Sequence, residues 1–325
     1  MIWLPLRFLK NARFAAGVFV CALGLGGCAT LFPQTAALHD APPRLAERVE
    51  LRDTAFFPQD EYQCGPAALA TLLASAGVAV TPEALVDEVY VPARRGSLQV
   101  EMLAAARRHG LVSYLLAPRL EDLLREIAAG HPVILLQDLG LGPWERWHYA
   151  VAIGYDLGEG ELILRSGESR RLVLPLAVNE YVWRKSGYWA MLALPPERMP
   201  ATADEARWLA AVAALERAGR APAARTAYQR FLERWPANVG AAIGLANAHY
   251  ALGDLPRAEA ALREALGRHP DSVVVLNNLA QVLSDRGQHR EALQHVERAA
   301  ARGGAHADAV RGTREQILRR LAGRN

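Results

Sequence analysis

Cysteine is scarce in this chain, which has three among its 325 residues: Cys21, Cys28 and Cys64. The cysteines and histidines do not cluster at the regular spacing of a zinc site, so we expect no metal. The glycine-rich phosphate loop of nucleotide-dependent enzymes is also missing, and we expect no cofactor. Any chemistry of this chain therefore has to come from its own side chains.

The apolar run near the N-terminus, FAAGVFVCALGLGG (14–27), is too short to span a bilayer comfortably. It follows Arg7, Lys10 and Arg13, which is typical of a signal peptide. The run ends in LGGC (25–28), which resembles a bacterial lipobox. The resemblance implies that residues 1–27 are removed and that Cys28 is lipidated. A signal anchor, or a signal cleaved elsewhere, is the alternative.

The residue after Cys28 is Ala29 rather than Asp, which by the same resemblance implies the outer membrane, facing the periplasm. Prolines interrupt residues 28–50, so we predict that this segment is a lipidated tether.

Without the signal peptide, residues 1–27, the chain has no excess of positive charge. The whole chain has 37 Lys+Arg and 34 Asp+Glu, and residues 1–27 take away three basic and no acidic residues. The remainder has 34 of each and a formal charge of zero. This balance predicts no nucleic-acid partner.

After processing, Cys64 is the only free thiol, and no intramolecular disulfide is possible. Paired cysteines are the norm in an oxidising compartment. A lone periplasmic thiol is therefore either buried and inert or kept for its chemistry.

Residues 51–195 mix helical and strand patterns, which predicts an α+β domain because the helices precede the strands. The predicted helices are 65–76, 82–88, 97–109 and 119–129. The predicted strands are LVSYLLA, HPVILLQ, HYAVAIGY, ELILRS, RLVLPL and GYWAMLAL. Residues 196–204 are predicted as a linker.

Residues 205–325 repeat with a period of 34. Glycines recur at 219, 253 and 287, and alanines recur at 224, 258 and 292. This period, with a turn glycine and small residues, is typical of tetratricopeptide repeats, and the segment resembles that family. We predict three repeats and a closing helix near 307–322, although Val212 and Phe231 occupy positions that are usually small. The concave groove of such repeats would bind a protein partner.

Cys64 stands in CGPAALATLL, where Pro66 favours the first turn of a helix. A helix N-terminus stabilises a thiolate and lowers the cysteine pKa from about 8.5 to roughly 3.5–7.5. Nucleophilic cysteine chemistry also needs a base. The domain offers His109, His131 and His148. His109 ends a predicted helix, His131 opens a buried-looking strand, and His148 opens a strand after a loop rich in Gly, Pro and Trp, where active-site residues commonly lie.

PQDEYQCGPAALATLL and HYAVAIGYD together resemble the papain-superfamily cysteine peptidases of the bacteriocin-processing kind, family C-39. Bacterial lipoproteins that join such a domain to tetratricopeptide repeats resemble the whole chain. The resemblance implies a papain-like α+β fold that cleaves a peptide or protein substrate. It also implies that Cys64 is the nucleophile, that His148 is the base and that Gln59 lines the oxyanion hole.

Two departures from the family pattern concern the site. Gln59 lies five residues before Cys64, where the family usually has six, and Gln63 is a competing donor. The family expects Asp after the next strand, where this chain has Ser166. Asp156 is the alternative as the group that orients His148.

Two functions follow. The first is a lipid-anchored periplasmic cysteine peptidase or amidase, with an acyltransferase variant on the same residues. The second is a protein-binding scaffold whose peptidase-like domain is weak or inactive.

Overall fold

The computed structural model describes residues 31–58, 63–141 and 143–323. One large sheet lies among the helices of the N-terminal part, and the C-terminal part is helical. The helices are α1 (Pro33–Asp40), α2 (Cys64–Ser75), α3 (Pro82–Val89), α4 (Gln99–Arg108), α5 (Leu120–Ala128), α6 (Leu176–Arg184), α7 (Glu205–Arg217), α8 (Ala221–Arg234), α9 (Val239–Ala251), α10 (Leu255–Arg268), α11 (Val273–Asp285), α12 (His289–Arg302) and α13 (Ala307–Ala322).

The strands are β1 (Arg48–Glu50), β2 (Tyr90–Val91), β3 (Gly96–Ser97), β4 (Val112–Leu115), β5 (Val133–Asp138), β6 (Trp147–Asp156), β7 (Glu161–Ser166), β8 (Ser169–Pro175) and β9 (Ala190–Leu194). The main sheet runs in the order β4-β9-β5-β6-β7-β8, and β1 pairs with the end of β6. Its pairings are antiparallel. β2 and β3 form a separate small hairpin.

A hydrophobic core lies on each face of the sheet because the buried strands alternate their side chains between the two faces. On one face, the apolar side chains of α2, α3 and α4 cover Val151 and Ile153. On the other face, α5 and α6 cover Ala150 and Ala152. Each helix and strand predicted between 65 and 194 overlaps one in the structure, whereas α6 was not predicted.

Residues 33–50 differ from the predicted tether, because α1 and β1 pack on the domain. Glu180 of α6 is fully buried and accepts hydrogen bonds from the backbone N–H groups of Gln34 (3.0 Å) and Thr35 (2.7 Å). β1 pairs with β6 beside Gly154, where a Cβ would lie 2.6 Å from the Val49 carbonyl oxygen. These partners are more than a hundred residues away, so no local pattern indicates them.

The C-terminal part of the chain is a stack of helical hairpins, with α7 and α8, α9 and α10, and α11 and α12 as pairs and α13 last. Gly219, Gly253 and Gly287 close the inter-helix turns with φ between 74° and 80°. This left-handed conformation favours glycine at the end of a helix. The predicted helix-packing alanines, Ala258 and Ala292 among them, are fully buried.

The predicted linker, 196–204, is held against the α+β domain. Glu126, fully buried in α5, accepts hydrogen bonds from the N–H (2.7 Å) and Oγ1 (2.6 Å) of Thr202 and from the N–H of Ala201 (3.2 Å). Trp208 of α7 packs edge-on against Tyr114 of β4, with ring centroids 5.8 Å apart. The core on this face of the sheet therefore continues into the first hairpin.

Candidate active site

Cys64 is the first residue of α2, and Gln63 is its N-cap. The helix start packs tightly on β3, because a Cβ at Gly65 would lie 2.1 Å from Ser97 Oγ and 2.4 Å from Ser97 Cβ. Glycine after the cysteine is therefore a steric requirement. The following residues of α2, from Gly65 to Leu73, are buried against the sheet.

The Cys64 sulfur lies beside β6. The backbone N–H groups of Tyr149, Gly65 and Cys64 stabilise the thiolate, but burial outweighs them and raises the pKa of the Cys64 thiol. We expected from the sequence that the helix N-terminus would lower this pKa. That expectation is wrong for this structure, because the cost of moving a charged sulfur out of water exceeds the gain from three backbone donors.

His148 and Ser166 are brought together by the pairing of neighbouring strands. His148 Nε2 lies 2.8 Å from Ser166 Oγ. In the pairing of β6 with β7, the paired residues nearest to His148 and Ser166 are Val151 and Arg165. The register of β7 with β8 is irregular between Leu164 and Ser166. Continuing the Val151–Arg165 register by one residue puts Ser166 opposite Ala150, and His148 and Ala150 share one face of the strand. Ser166 is therefore a diagonal neighbour of His148, close enough for its hydroxyl to contact the imidazole.

His148 is neutral in this environment. Burial, together with the nearby Arg146 cation, lowers the pKa of His148 to about 4. With Nε2 engaged by Ser166, Nδ1 is the nitrogen left to accept a proton. A hydroxyl can accept the Nε2 hydrogen bond, and this bond would hold the tautomer that leaves Nδ1 free.

The Cys64 thiol and the His148 ring are both associated with the first residues of β6. The sulfur contacts the N–H of Tyr149, and His148 is the preceding residue. The hydrogen bonds among the described residues do not include one between the Cys64 sulfur and the His148 ring. Catalytic hydrogen bonds are often long in an unliganded site and shorten when substrate binds.

Other candidates lie elsewhere. Gln59 and the lipidation candidate Cys28 fall outside the described residues. Asp156 is at the far end of β6, eight residues or about 26 Å from His148. There its carboxylate lies 3.7 Å from Arg48 Nε and accepts a hydrogen bond from the Glu159 N–H.

The remaining histidines of the domain have structural partners. His109 Nε2 lies 3.0 Å from a Glu88 carboxylate oxygen, and His131 Nδ1 lies 2.7 Å from Glu126. Within the described residues, no group of three or more His, Cys, Asp or Glu side chains could hold a metal ion.

Sequence reasoning missed Tyr149 and Ser97. Tyr149 acts through its backbone N–H, and its hydroxyl donates to the Ser97 carbonyl oxygen at 3.1 Å. Ser97 Oγ is buried without a hydrogen-bond partner, next to Gly65. No side-chain pattern could have indicated a backbone donor or a contact with a two-residue strand.

Family models match both parts of the chain. The model of the Peptidase_C39 like family matches residues 51–170, and two tetratricopeptide repeat models match residues 209–273 and 251–317. No curated protein matches the sequence. The chain thus has a C39-peptidase-like α+β domain followed by a tetratricopeptide-repeat solenoid, which confirms the predicted fold class.

Solved structures resemble each part at low identity. A C39-like peptidase from Bacillus anthracis is 19% identical with a TM-score of 0.40, and the match covers 46% of this chain and 98% of that one. The TPR2B domain of yeast Sti1, in complex with pHsp70, is 18% identical with a TM-score of 0.34, and the match covers 35% of this chain and 96% of that one. The Sgt2 TPR domain of Aspergillus fumigatus is 22% identical with a TM-score of 0.35, and the match covers 38% of this chain and 84% of that one.

Proposed function

We propose that this protein is a cysteine peptidase or amidase of the cell envelope, anchored in the outer membrane by lipid on Cys28 and facing the periplasm. Cys64 is the nucleophile and His148 is the base. The 2.8 Å hydrogen bond between His148 and Ser166, one residue from the backbone N–H that contacts the Cys64 sulfur, supports this assignment most directly.

In the first half of the reaction the Cys64 sulfur attacks the carbonyl carbon of an amide. His148 Nδ1 takes the thiol proton and returns it to the leaving nitrogen, so the C–N bond breaks and a thioester remains. The Cys64 backbone N–H and Gln59 stabilise the oxyanion. In the second half His148 removes a proton from water, whose oxygen attacks the thioester carbon; the C–S bond breaks, the imidazolium returns the proton to the sulfur, and the acid is released.

The resting thiol and the resting imidazole are both neutral, since burial raises the pKa of Cys64 and lowers that of His148. Proton transfer then accompanies attack instead of preceding it. Because the His148 pKa is lowered to about 4, the neutral base persists down to that pH. We expect kcat/KM to fall as the pH drops through about 4, and not near the ordinary histidine value of about 6.5.

The repeats would recruit the substrate or a protein partner, because tetratricopeptide repeats are protein-binding modules. A binding scaffold with a weak or inactive site is the second candidate. It is favoured by one observation, namely that an uncharged hydroxyl contacts His148 where the family expects a carboxylate. An acyltransferase would use the same thioester and differ only in the nucleophile that resolves it.

The test of the proposal is cleavage of a proteome-derived peptide pool by the purified full chain, with new termini read by mass spectrometry. We expect Cys64→Ala to abolish cleavage and His148→Ala to reduce it at least about 100-fold. His109→Ala is the matched control and should cleave normally, because its ring contacts Glu88 instead. Cleavage that survives Cys64→Ala would exclude the mechanism. Partner binding that survives both active-site variants, together with normal function in cells, would favour the scaffold.

The ionisation of the pair is tested by Cys64 alkylation as a function of pH, in a Cys28→Ser chain freed of its signal. A raised thiol pKa predicts a rate that climbs only above the ordinary midpoint of about 8.5. His148→Ala should change this profile little, since a neutral imidazole adds no charge. Fast alkylation below pH 7 that is lost in His148→Ala would instead demonstrate a thiolate–imidazolium pair.

A further inference from the structure

Five large apolar side chains are exposed on one side of the α+β domain. Leu141 is 81% exposed and Trp144 77%, whereas Leu31 (47%), Val178 (46%) and Tyr181 (41%) are about half exposed. We call these five residues the apolar face. Monomeric soluble proteins rarely expose contiguous apolar patches larger than a few hundred Å², and the larger patches commonly mark an interaction site.

Contacts join the separate parts of the apolar face. The Phe32 ring lies 6.4 Å from the Tyr181 ring, and Arg184 donates to the Leu31 carbonyl oxygen at 3.1 Å. Val178 and Tyr181 are three residues apart on α6 and so share one side of the helix. The loop that carries Leu141 and Trp144 is joined to the same helix by Lys185.

Lys185 makes this connection through several contacts. Its Nζ lies 5.2 Å from the centre of the Tyr181 ring and donates to the Gly140 carbonyl oxygen at 2.8 Å. Lys185 also pairs with the Asp138 carboxylate at 3.3 Å. The lysine therefore holds the start of the loop against α6.

The exposure of Leu141 and Trp144 is enforced by the polar contacts beneath them. One Asp138 carboxylate oxygen accepts hydrogen bonds from the N–H groups of Gly140 (2.8 Å) and Arg146 (2.7 Å). A Cβ at Gly140 would lie 1.8 Å from the Trp144 carbonyl oxygen, so only glycine permits this turn. The turn therefore leaves Leu141 and Trp144 exposed to solvent, although apolar side chains of this size are usually buried.

The position of Leu31 indicates what covers the face. Cys28, which the proposed function makes the lipid-bearing residue, is three residues before Leu31. Three residues reach at most about 10 Å. If Cys28 is lipidated, the Leu31 end of the apolar face lies within that distance of the bilayer surface.

The composition of the face suits a bilayer surface. Tryptophan and tyrosine are the residues enriched at membrane–water interfaces, and leucine is typical of the buried side of interfacial segments. Arg146 and Arg184, at the edge of the face, would meet anionic headgroups. The acidic neighbour Glu145 accepts a hydrogen bond from the Trp147 indole, and Glu180 is buried against α1.

We infer that the apolar face lies on the anionic phospholipid surface in which Cys28 is anchored, with Trp144 and Leu141 in the interface. The inference rests on the lipidation that the proposed function includes. It places the active site at the membrane, because His148 is four residues after Trp144 and is the second residue of β6, the strand that follows this loop. The substrate would then be a polypeptide held at the bilayer surface.

The test uses the full lipidated chain, reconstituted in vesicles of phosphatidylethanolamine and phosphatidylglycerol that contain a brominated phospholipid. Trp144 fluorescence is taken as the difference between the parent chain and Trp144→Ser, a change at an exposed side chain that should not unfold the domain. We expect quenching by the brominated lipid and about a threefold loss of acrylamide quenching on reconstitution. Trp235→Phe, in the repeats, is the control and should leave both signals unchanged.

Vesicle flotation separates the outcomes. A chain that floats while Trp144 stays as open to acrylamide as in the Cys28→Ser chain would overturn the docking and leave the anchor intact. A chain that does not float would overturn both. Cross-linking of two copies at residue 144 without lipid quenching would also refute the inference, in favour of a dimer. Lipid quenching in a chain with no Cys64-dependent cleavage would support the docking and refute only the peptidase.

Discussion

Ser166 is the side chain on which the chemistry of His148 depends most. A carboxylate in its place would stabilise the imidazolium, whereas a hydroxyl can only hold the ring and its tautomer. In serine proteases, replacing the triad aspartate by asparagine lowers turnover about 10⁴-fold, which indicates how much a neutral partner can cost. Because the Ser166 hydroxyl carries no negative charge, burial and the Arg146 cation lower the pKa of His148 to about 4.

Ser166→Asp should raise the pKa of His148, because a carboxylate next to Nε2 favours the charged ring. The shift should exceed about one unit, the usual lower bound for a close opposite charge. It is measured by NMR titration of the His148 ring, assigned by comparison with His148→Gln. Ser166→Asn keeps a hydrogen-bond acceptor without the charge and should leave the pKa low. A His148 pKa that is the same in Ser166→Asp and the parent chain would show that the two side chains do not meet in solution.

The start of α2 is positioned by its contact with β3, more than by any cap of its own. Its N-cap, Gln63, makes no side-chain capping hydrogen bond. Instead the helix start sits against Ser97, and Tyr149 ties β3 to β6 through its hydroxyl. The Cys64 thiol is therefore placed by a hairpin of two-residue strands whose own sequence carries little signal.

Gly65→Ala should destabilise the protein by about 1–3 kcal/mol, the usual cost of overpacking a close contact. The new methyl group would lie 2.4 Å from Ser97 Cβ, which cannot rotate away. Urea denaturation measures the free energy of unfolding. Gly267→Ala, where no atom lies within 4 Å, is the matched helical control and should be neutral or stabilising.

The steric origin of this effect is tested by the double variant. Ser97→Gly removes the clashing atoms, so it should restore part of the stability that Gly65→Ala loses. If the two changes were simply additive, the contact between α2 and β3 would not be the reason that glycine follows the cysteine.

The two parts of the molecule share one core instead of being joined by a free linker. Val212 and Phe231, which depart from the small residues usual in such repeats, are fully buried in the cluster that contains Trp208 and the sheet residues beneath it. The first hairpin is thus shaped for the domain that precedes it. The later repeats have a separate core. A partner held by the repeats would consequently have a defined position relative to Cys64.

Trp208→Ala should lower the protection of β4 amides from hydrogen exchange, although Trp208 belongs to the repeats. Removing a buried tryptophan costs about 3–5 kcal/mol. Part of the packing that is lost is the contact between the Trp208 ring and the Tyr114 ring of β4. Leu283→Ala, in the core of the third repeat, is the control and should loosen α11–α13 but not β4, because repeats mainly contact their neighbours. Unchanged β4 protection in Trp208→Ala would mean that the two parts unfold independently.

Local patterns sufficed to predict much of this protein. The period of 34 and its turn glycines indicate the repeats, since each hairpin buries the same small residues against its neighbour. The helix that begins at Cys64 and the strand that His148 opens follow from proline placement and apolar runs, which report burial along a short segment. Ser166 was found only by resemblance to a family pattern.

Contacts between distant segments decided the rest. The pairing of β6 with β7 brings Ser166 to His148. A buried glutamate in each of α5 and α6 holds the predicted linker and tether against the domain. The thiol pKa depends on the same packing, because burial of the sulfur under the folded sheet outweighs the helix terminus. Spacing along a chain carries no information on such quantities, since register, burial and charge pairing exist only once remote segments have met.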